Sequence, residues 1–230
     1  MPNYITNVLE LDCSDKRFLD VANFVKGDGE LGEFDFNTLV KMPEELDVEC
    51  GSRGSDAHRK YISFLNNLKE GMTAEEVEEL EKSYKAQLRE EKDWELGKQY
   101  YENQRKYGST TWYDWCVRNW GTKWNACDSD YDPLCHTFTF QTALEGVPNL
   151  VKLLSEKFPD VTIDYSFADE DIGYNVGVIR FQNGDDTSSE FPEGGSKRAH
   201  ELAAEIMGVD LKERGYELTK DGTSYMYVME

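Results

Sequence analysis

The chain is short of cations, of histidine and of any long apolar run. Its 230 residues hold 25 lysines and arginines against 46 aspartates and glutamates, for a formal net charge of -21. A field of that sign repels phosphate backbones and anionic lipid, so no direct nucleic-acid binding and no membrane are expected among its partners. No run of about 18 apolar residues occurs, so no membrane span is expected. The five cysteines (Cys13, Cys50, Cys116, Cys127, Cys135) are odd in number and form no Cys-x-x-Cys pair. With no secretory leader read at Met1-Pro2-Asn3-Tyr4, that pattern predicts reduced thiols in a cytoplasm. The three histidines, His58, His136 and His200, have no metal-pair spacing. Glycine-rich phosphate loops, nucleophile elbows and His-Glu-x-x-His are missing too. The expectation is no catalytic set, no cofactor and no metal.

What is present is globular: 39% hydrophobic and 13% aromatic residues, enough for a sizeable core. Four of the five tryptophans fall within residues 112–125. An indole is a large apolar plate with one N–H that requires a partner when buried. Two readings follow. The indoles could be a plug that pins helices onto a sheet around a Gly121 turn of positive φ. Alternatively, Trp112, Trp115, Trp120 and Trp124 could wall a pocket, with Asn119, Lys123 and Asn125 as its polar contacts. Lys123 among these rings also suits cation–π packing. The acid surplus admits three uses: solubility, attraction of a basic protein, or imitation of nucleic acid. A zinc site from Cys127, Cys135 and His136 lacks a fourth ligand, and the last two point to opposite faces of a strand. Asp128, Asp130 and Asp132 resemble the start of a calcium loop. Pro133 and Thr139 occupy the positions that need glycine and glutamate, so an acidic loop is expected there.

Periodicity supplies the elements. Ile5, Leu9 and Leu11 mark the buried side of a strand at 3–11. Ser14 caps a helix with the stripe Phe18, Val21, Ala22 and Val25, and Phe34–Val40 alternates as a second strand. Ser55 is expected to cap a helix to Leu68, and Thr73 with Glu76 to form a capping box. That second helix carries Val77, Leu80, Tyr84 and Leu88 and is expected to run to about Tyr107. A short helix begins near Thr110 or Thr111. Residues 134–142 read as a strand, Pro148 as the first turn of a helix, and 161–167 and 174–181 as strands. Asn183-Gly184 signals a hairpin into 187–191, Ser196 caps a last helix ended by Gly208, and Tyr225–Met229 closes with a small strand.

Without its middle, this order is β-α-β followed by β-α-β, the split βαβ pattern of an α+β, ferredoxin-like antiparallel sheet. The domains expected are a core of 1–43 and 134–192, a helical insertion at 44–133 ending in the Trp-rich segment, and an extension at 193–230. Met1-Pro2-Asn3, Phe34-Asp35-Phe36-Asn37, Met42-Pro43-Glu44-Glu45-Leu46 and, above all, Trp112-Tyr113-Asp114-Trp115 and Asn119-Trp120-Gly121-Thr122-Lys123-Trp124-Asn125-Ala126 resemble the YubB-type ferredoxin-like domain family. Phages, plasmids and bacteria that carry such elements encode its members. The resemblance covers about residues 1–190 and implies that fold, with a helical insertion and a mobile-element setting; it brings no activity. The leading expectation is a non-enzymatic module that binds a protein partner in a bacterial cytoplasm. Its rivals are a ligand binder or enzyme built on the aromatic pocket, and an acidic nucleic-acid mimic.

Overall fold

The computed structural model describes residues 3–228 of the chain. In chain order the elements are β1 (Tyr4–Asp12), α1 (Asp15–Val25), α2 (Ser52–Asn67), α3 (Ala74–Lys85), α4 (Asp93–Tyr107), α5 (Trp112–Trp120), β2 (Cys127–Asp132) and β3 (Thr137–Ala143), followed by α6 (Pro148–Lys157), β4 (Thr162–Asp169), β5 (Val176–Gln182), β6 (Asp185–Glu190), α7 (Lys197–Met207), β7 (Tyr216–Leu218) and β8 (Tyr225–Tyr227). They fall into two compact units: residues 1–41 with 119–230, and residues 42–118.

The first unit is built on a six-stranded sheet of order β2-β3-β1-β4-β5-β6, antiparallel at every step. Taking β1, α1, β2, β3, α6 and β4 alone, the fourth strand lies beside the first, and the third separates the first from the second. This interleaving of two βαβ units defines a ferredoxin-like fold of the α+β class; β5 and β6 widen it. Ile5, Leu9, Leu11, Phe138, Phe140, Ile163, Tyr165 and Phe181 are buried on one face, in register across four strands. The helices α1 and α6 cover that face. Phe18 of α1 sits 4.9 Å from Phe138, and Phe24 meets Phe158 at the end of α6. Asn7 belongs to the same buried face and is fully satisfied. Its amide donates to Ile5 O at 2.9 Å and to Thr142 Oγ1 at 2.8 Å, and its oxygen accepts from the Tyr165 hydroxyl. That hydroxyl in turn accepts from Val147 N–H, so the network fixes the loop that starts α6. On the opposite face α7 packs Ala199, Leu202 and Ala203 over Ala168 and Val176, which covers one end of the sheet.

The second unit, residues 42–118, is helical. Here α2 and α4 touch where side chains are smallest: a Cβ on Gly97 would stand 2.5 Å from Ala57 O. Trp94 lies 5.1 Å from Tyr61 and 5.3 Å from Phe64. Buried Asp93 pairs with Arg53 at 2.9 Å. Lys106, 2.8 Å from Glu45, holds that carboxyl down to about 2, since the paired carboxylate is favoured over the neutral acid. Arg118 donates to Tyr107 O, Gly108 O and Ser109 Oγ, which satisfies carbonyls at the end of α4. Burial pushes the Cys116 thiol up to about 12.

Several sequence expectations need correction. Phe34–Val40 is no strand: Phe36–Thr38 is a 3-10 turn in which the Asp35 carboxylate accepts from Asn37 N–H. The alternation of Phe34 and Phe36 imitates a strand, but Asp and Asn favour such self-bonded turns over a ladder. The missing second strand of the ferredoxin-like pattern is β2, within the stretch expected to be an acidic loop. Residues 133–136 form the β2–β3 turn, and His136 has a φ of 53°, so Cys135 and His136 do not sit in a strand. The helix expected over 73–107 is two helices, α3 and α4. From Leu88 to Trp94 the chain advances six residues, about 600° at 3.6 residues per turn, which puts Trp94 off the stripe. A break between them lets Trp94 reach Tyr61 and Phe64. Helix α2 starts at Ser52, a turn before Ser55, whose hydroxyl donates to Gly51 O. Strand β7, which pairs with β8, has no counterpart among the expected elements; the expected strand Tyr225–Met229 is β8, and its last residue, Met229, lies outside the described residues.

Candidate functional site

The Trp-rich segment is divided between the two units. Trp112 and Trp115 belong to the helical unit, on α5, where Thr111 Oγ1 accepts from Tyr113 N–H at the helix start. Trp115 is buried and Trp112 half-buried, its ring edge-on to Tyr113 at 5.7 Å. Asn119, Trp120, Lys123, Trp124 and Asn125 belong to the sheet unit. After α5 the chain reverses at Gly121, whose φ of 80° is the left-handed region that glycine occupies without strain.

Around that turn, each of three residues meets a specific backbone group. Buried Trp120 donates its indole N–H to Val40 O at 2.8 Å and stands edge-on to Phe36 at 5.7 Å. Thr122 Oγ1 donates to Ala143 O at 2.8 Å and accepts from Ala143 N–H at 3.1 Å, in place of a strand neighbour at the end of β3. Asn125 Oδ1 accepts from Phe36 N–H at 2.8 Å and from Ala126 N–H at 3.0 Å, while its amide donates to Asp35 Oδ1 at 2.6 Å. The segment therefore clamps the Phe34–Val40 turn at both ends. Lys123 lies over the half-buried Trp124 ring at 5.7 Å, a cation–π contact. Asn119 is half-buried. Asn125 also borders a cleft of about 350 Å³ shared with Lys26, Asp28, Glu33, Asp35 and Asp128.

A second feature emerges only from the strand register. On the sheet face away from α1 and α6, beyond the cover of α7, one row runs Asp132, Thr137, Glu10, Asp164, Arg180 and Ser188. The next row runs Asp130, Thr139, Val8, Ser166, Val178 and Glu190. Five of these twelve side chains are carboxylates and one is a cation. Glu10, Asp130 and Asp132 are exposed; Thr139, Val8, Ser166 and Val178 form a half-buried floor. Arg180 forks onto Asp164 through two bonds of 2.7 Å. Arg198 of α7 does the same to Glu190, at 2.7 and 3.0 Å, and holds that carboxyl below its ordinary range. The N–H groups of Leu134 and Cys135 likewise hold Asp132 low, because a carboxylate that accepts hydrogen bonds favours its ionised form. A shallow groove of about 470 Å³ runs over this face, bordered by Glu10, Asp164, Ser166, Val178, Arg180 and Glu190. The sequence contained the signal: Asp128, Asp130 and Asp132 recur every second residue, the strand period, although their spacing also imitates a calcium loop.

A family model agrees with the class that the topology defines. Residues 119–210, from just before the Gly121 turn to just past α7, match a family model described as a ferredoxin-like domain in Api92-like protein. In three dimensions the chain is similar to the crystal structure of a protein Api92 from Yersinia pseudotuberculosis. The alignment covers 84% of this chain and 99% of that one, at 11% identity and a TM-score of 0.42. No curated protein matches the sequence.

Proposed function

We propose that this chain is a non-enzymatic interaction module that binds a basic partner protein in a bacterial cytoplasm, in the service of a phage or plasmid. The carrying observation is where the acid lies. The sheet unit holds 29 acidic against 13 basic residues, while the helical unit is closer to balance with 17 against 12. Solubility alone calls for charges of both signs interspersed over a surface. A one-signed field concentrated on one unit accelerates encounter with an oppositely charged protein and disfavours nucleic acid. The mobile-element setting draws support from the YubB-type resemblance of residues 119–126, and the cytoplasm from the five free thiols.

The aromatic-pocket reading is supported less well. The Trp120 indole N–H and the Asn125 carboxamide already bond to Val40, Phe36 and Asp35, which suits a clamp better than a ligand contact. The test is capture from bacterial lysate beside an unrelated acidic protein of equal net charge, followed by a salt step from 0.1 to 0.5 M. The module should retain at least one basic protein that the control does not, and salt should release it. Retention of nothing beyond the control's set would refute the reading.

A further inference from the structure

We propose that the uncovered sheet face is the docking surface, and that its occupant is an extended segment of the partner carrying several arginines. This rests on the reading of the chain as a binder of a basic protein and assigns that binding to one place. Three observations point to it.

The first is a like-charge pairing in the register of the sheet. Glu10 stands directly opposite Asp164 on β4 and opposite Thr137 on β3, so no cation faces it in register. Carboxylates directly opposite one another on neighbouring strands destabilise a sheet. Arg180 already offsets the Asp164 charge; a cation from outside at Glu10 would relieve what repulsion is left, so the face is better suited to an occupied state than to a bare one.

The second is relief. Thr139, Val8, Ser166 and Val178 are short, and the carboxylates of Glu10, Asp130 and Glu190 flank them in register. A peptide backbone can approach such a floor closely. Six strands about 4.8 Å apart give a track of about 24 Å, the reach of an extended segment of about seven residues. No aromatic side chain stands in either row, so stacking platforms for single-stranded bases are lacking, and the charge opposes their phosphates.

The third is the chemistry already in place. Arg180 lies on this face with its guanidinium forked on Asp164. That is the planar bidentate contact that distinguishes arginine from lysine. The same fork recurs at the margin, where Arg198 engages Glu190. A partner arginine would make this contact at the carboxylates of Glu10 and Asp130, and would compete with Arg180 for Asp164.

The probe is a fluorescein-labelled nonapeptide of alternating arginine and serine, titrated by anisotropy against the whole chain at 0.1 M salt. The double variant E10Q/D130N should raise Kd at least tenfold, and R180Q should lower it about threefold by freeing Asp164. E78Q/E79Q, an equal change of charge on the exposed α3 helix, should move Kd less than twofold. E10Q should melt no lower than the parent, because it removes a like charge opposite Asp164. Peptide-induced amide shifts should concentrate on β1 and β4. Equal weakening by E78Q/E79Q and E10Q/D130N, or shifts confined to other strands, would overturn the assigned surface and leave the basic-partner reading standing. A lower melting temperature for E10Q would make Glu10 a structural residue and overturn the argument from repulsion. No peptide binding to the parent chain at all would remove the basic-partner reading itself.

Discussion

Asn125 illustrates how a single side chain holds a turn that the hydrophobic pattern misdescribes. Its oxygen accepts from the N–H groups of Phe36 and Ala126, and its amide donates to Asp35. Asn125→Ala leaves the Phe36 amide without that acceptor at a half-buried site. A polar group stranded in this way costs about 1–3 kcal/mol, so about 2 kcal/mol of destabilisation is expected at pH 7 from urea unfolding followed by tryptophan fluorescence. Asn125→Asp is the informative companion. It keeps both accepted bonds but sets a carboxylate against Asp35, at a site where the native amide approaches to 2.6 Å. Two carboxylates so close raise the proton affinity of the pair in the folded state. A folded-state pKa raised above the unfolded value adds stability as pH falls through it. The deficit of Asn125→Asp should therefore shrink between pH 7 and pH 5, while that of Asn125→Ala stays constant.

At the scale of elements, much was legible because local chemistry fixed it. Ser14, Ser196 and the Thr73–Glu76 box all cap as their positions predict. Pro148 opens α6, Gly208 ends α7 with a φ of 62°, and Asn183-Gly184 turns with both φ angles positive. What escaped lacks such marks or carries misleading ones. Phe34-Asp35-Phe36 alternates like a strand, yet its aspartate makes a turn. Strand β2 places aspartates outward on a sheet edge, where charge deters pairing with other chains, and so reads as loop. The acidic face was half legible. Glu10 could be placed on the outer side of β1, but Asp164 and Asp132 of the same row come from strands 120 residues or more away, and only register unites them. The contact of α2 with α4 is a further element-scale feature, and it makes a test. Gly97→Ala would ordinarily stabilise a helix by about 1 kcal/mol. Here the new Cβ meets the Ala57 carbonyl, backbone that can move only with its helix. Overpacking of this kind costs about 1–3 kcal/mol. Thermal unfolding by circular dichroism should show a net loss for Gly97→Ala. Gly51→Ala, in extended backbone with open space around its added Cβ, should leave the midpoint within about a degree.

For the molecule as a whole, the net charge of -21 sets two opposing electrostatic terms against each other. The attractive one consists of contacts such as Arg17–Asp160, Lys85–Glu81, Lys106–Glu45 and Arg198–Glu190. Exposed pairs like these contribute about 0–1 kcal/mol each. The repulsive one is the mutual opposition of many unpaired carboxylates over distances of 10 Å and more. Salt does not weaken the two equally. The screening length falls from about 10 Å at 0.1 M to about 3 Å at 1 M, so long-range repulsion vanishes first while pairs in contact persist. Raising sodium chloride from 0.05 to 0.5 M should therefore increase the melting temperature by several degrees in scanning calorimetry. Chloride is preferred because sulfate would stabilise by exclusion from the surface whatever the charge. The same titration should weaken the hold on an arginine-bearing peptide, because that attraction crosses from one molecule to another. Stability and binding moving in opposite directions along one salt series would identify a surface whose charge opposes its own fold and favours a partner. A melting temperature that falls with salt would mean that the internal ion pairs outweigh the repulsion, and that the acid surplus costs the folded state nothing for a partner to relieve.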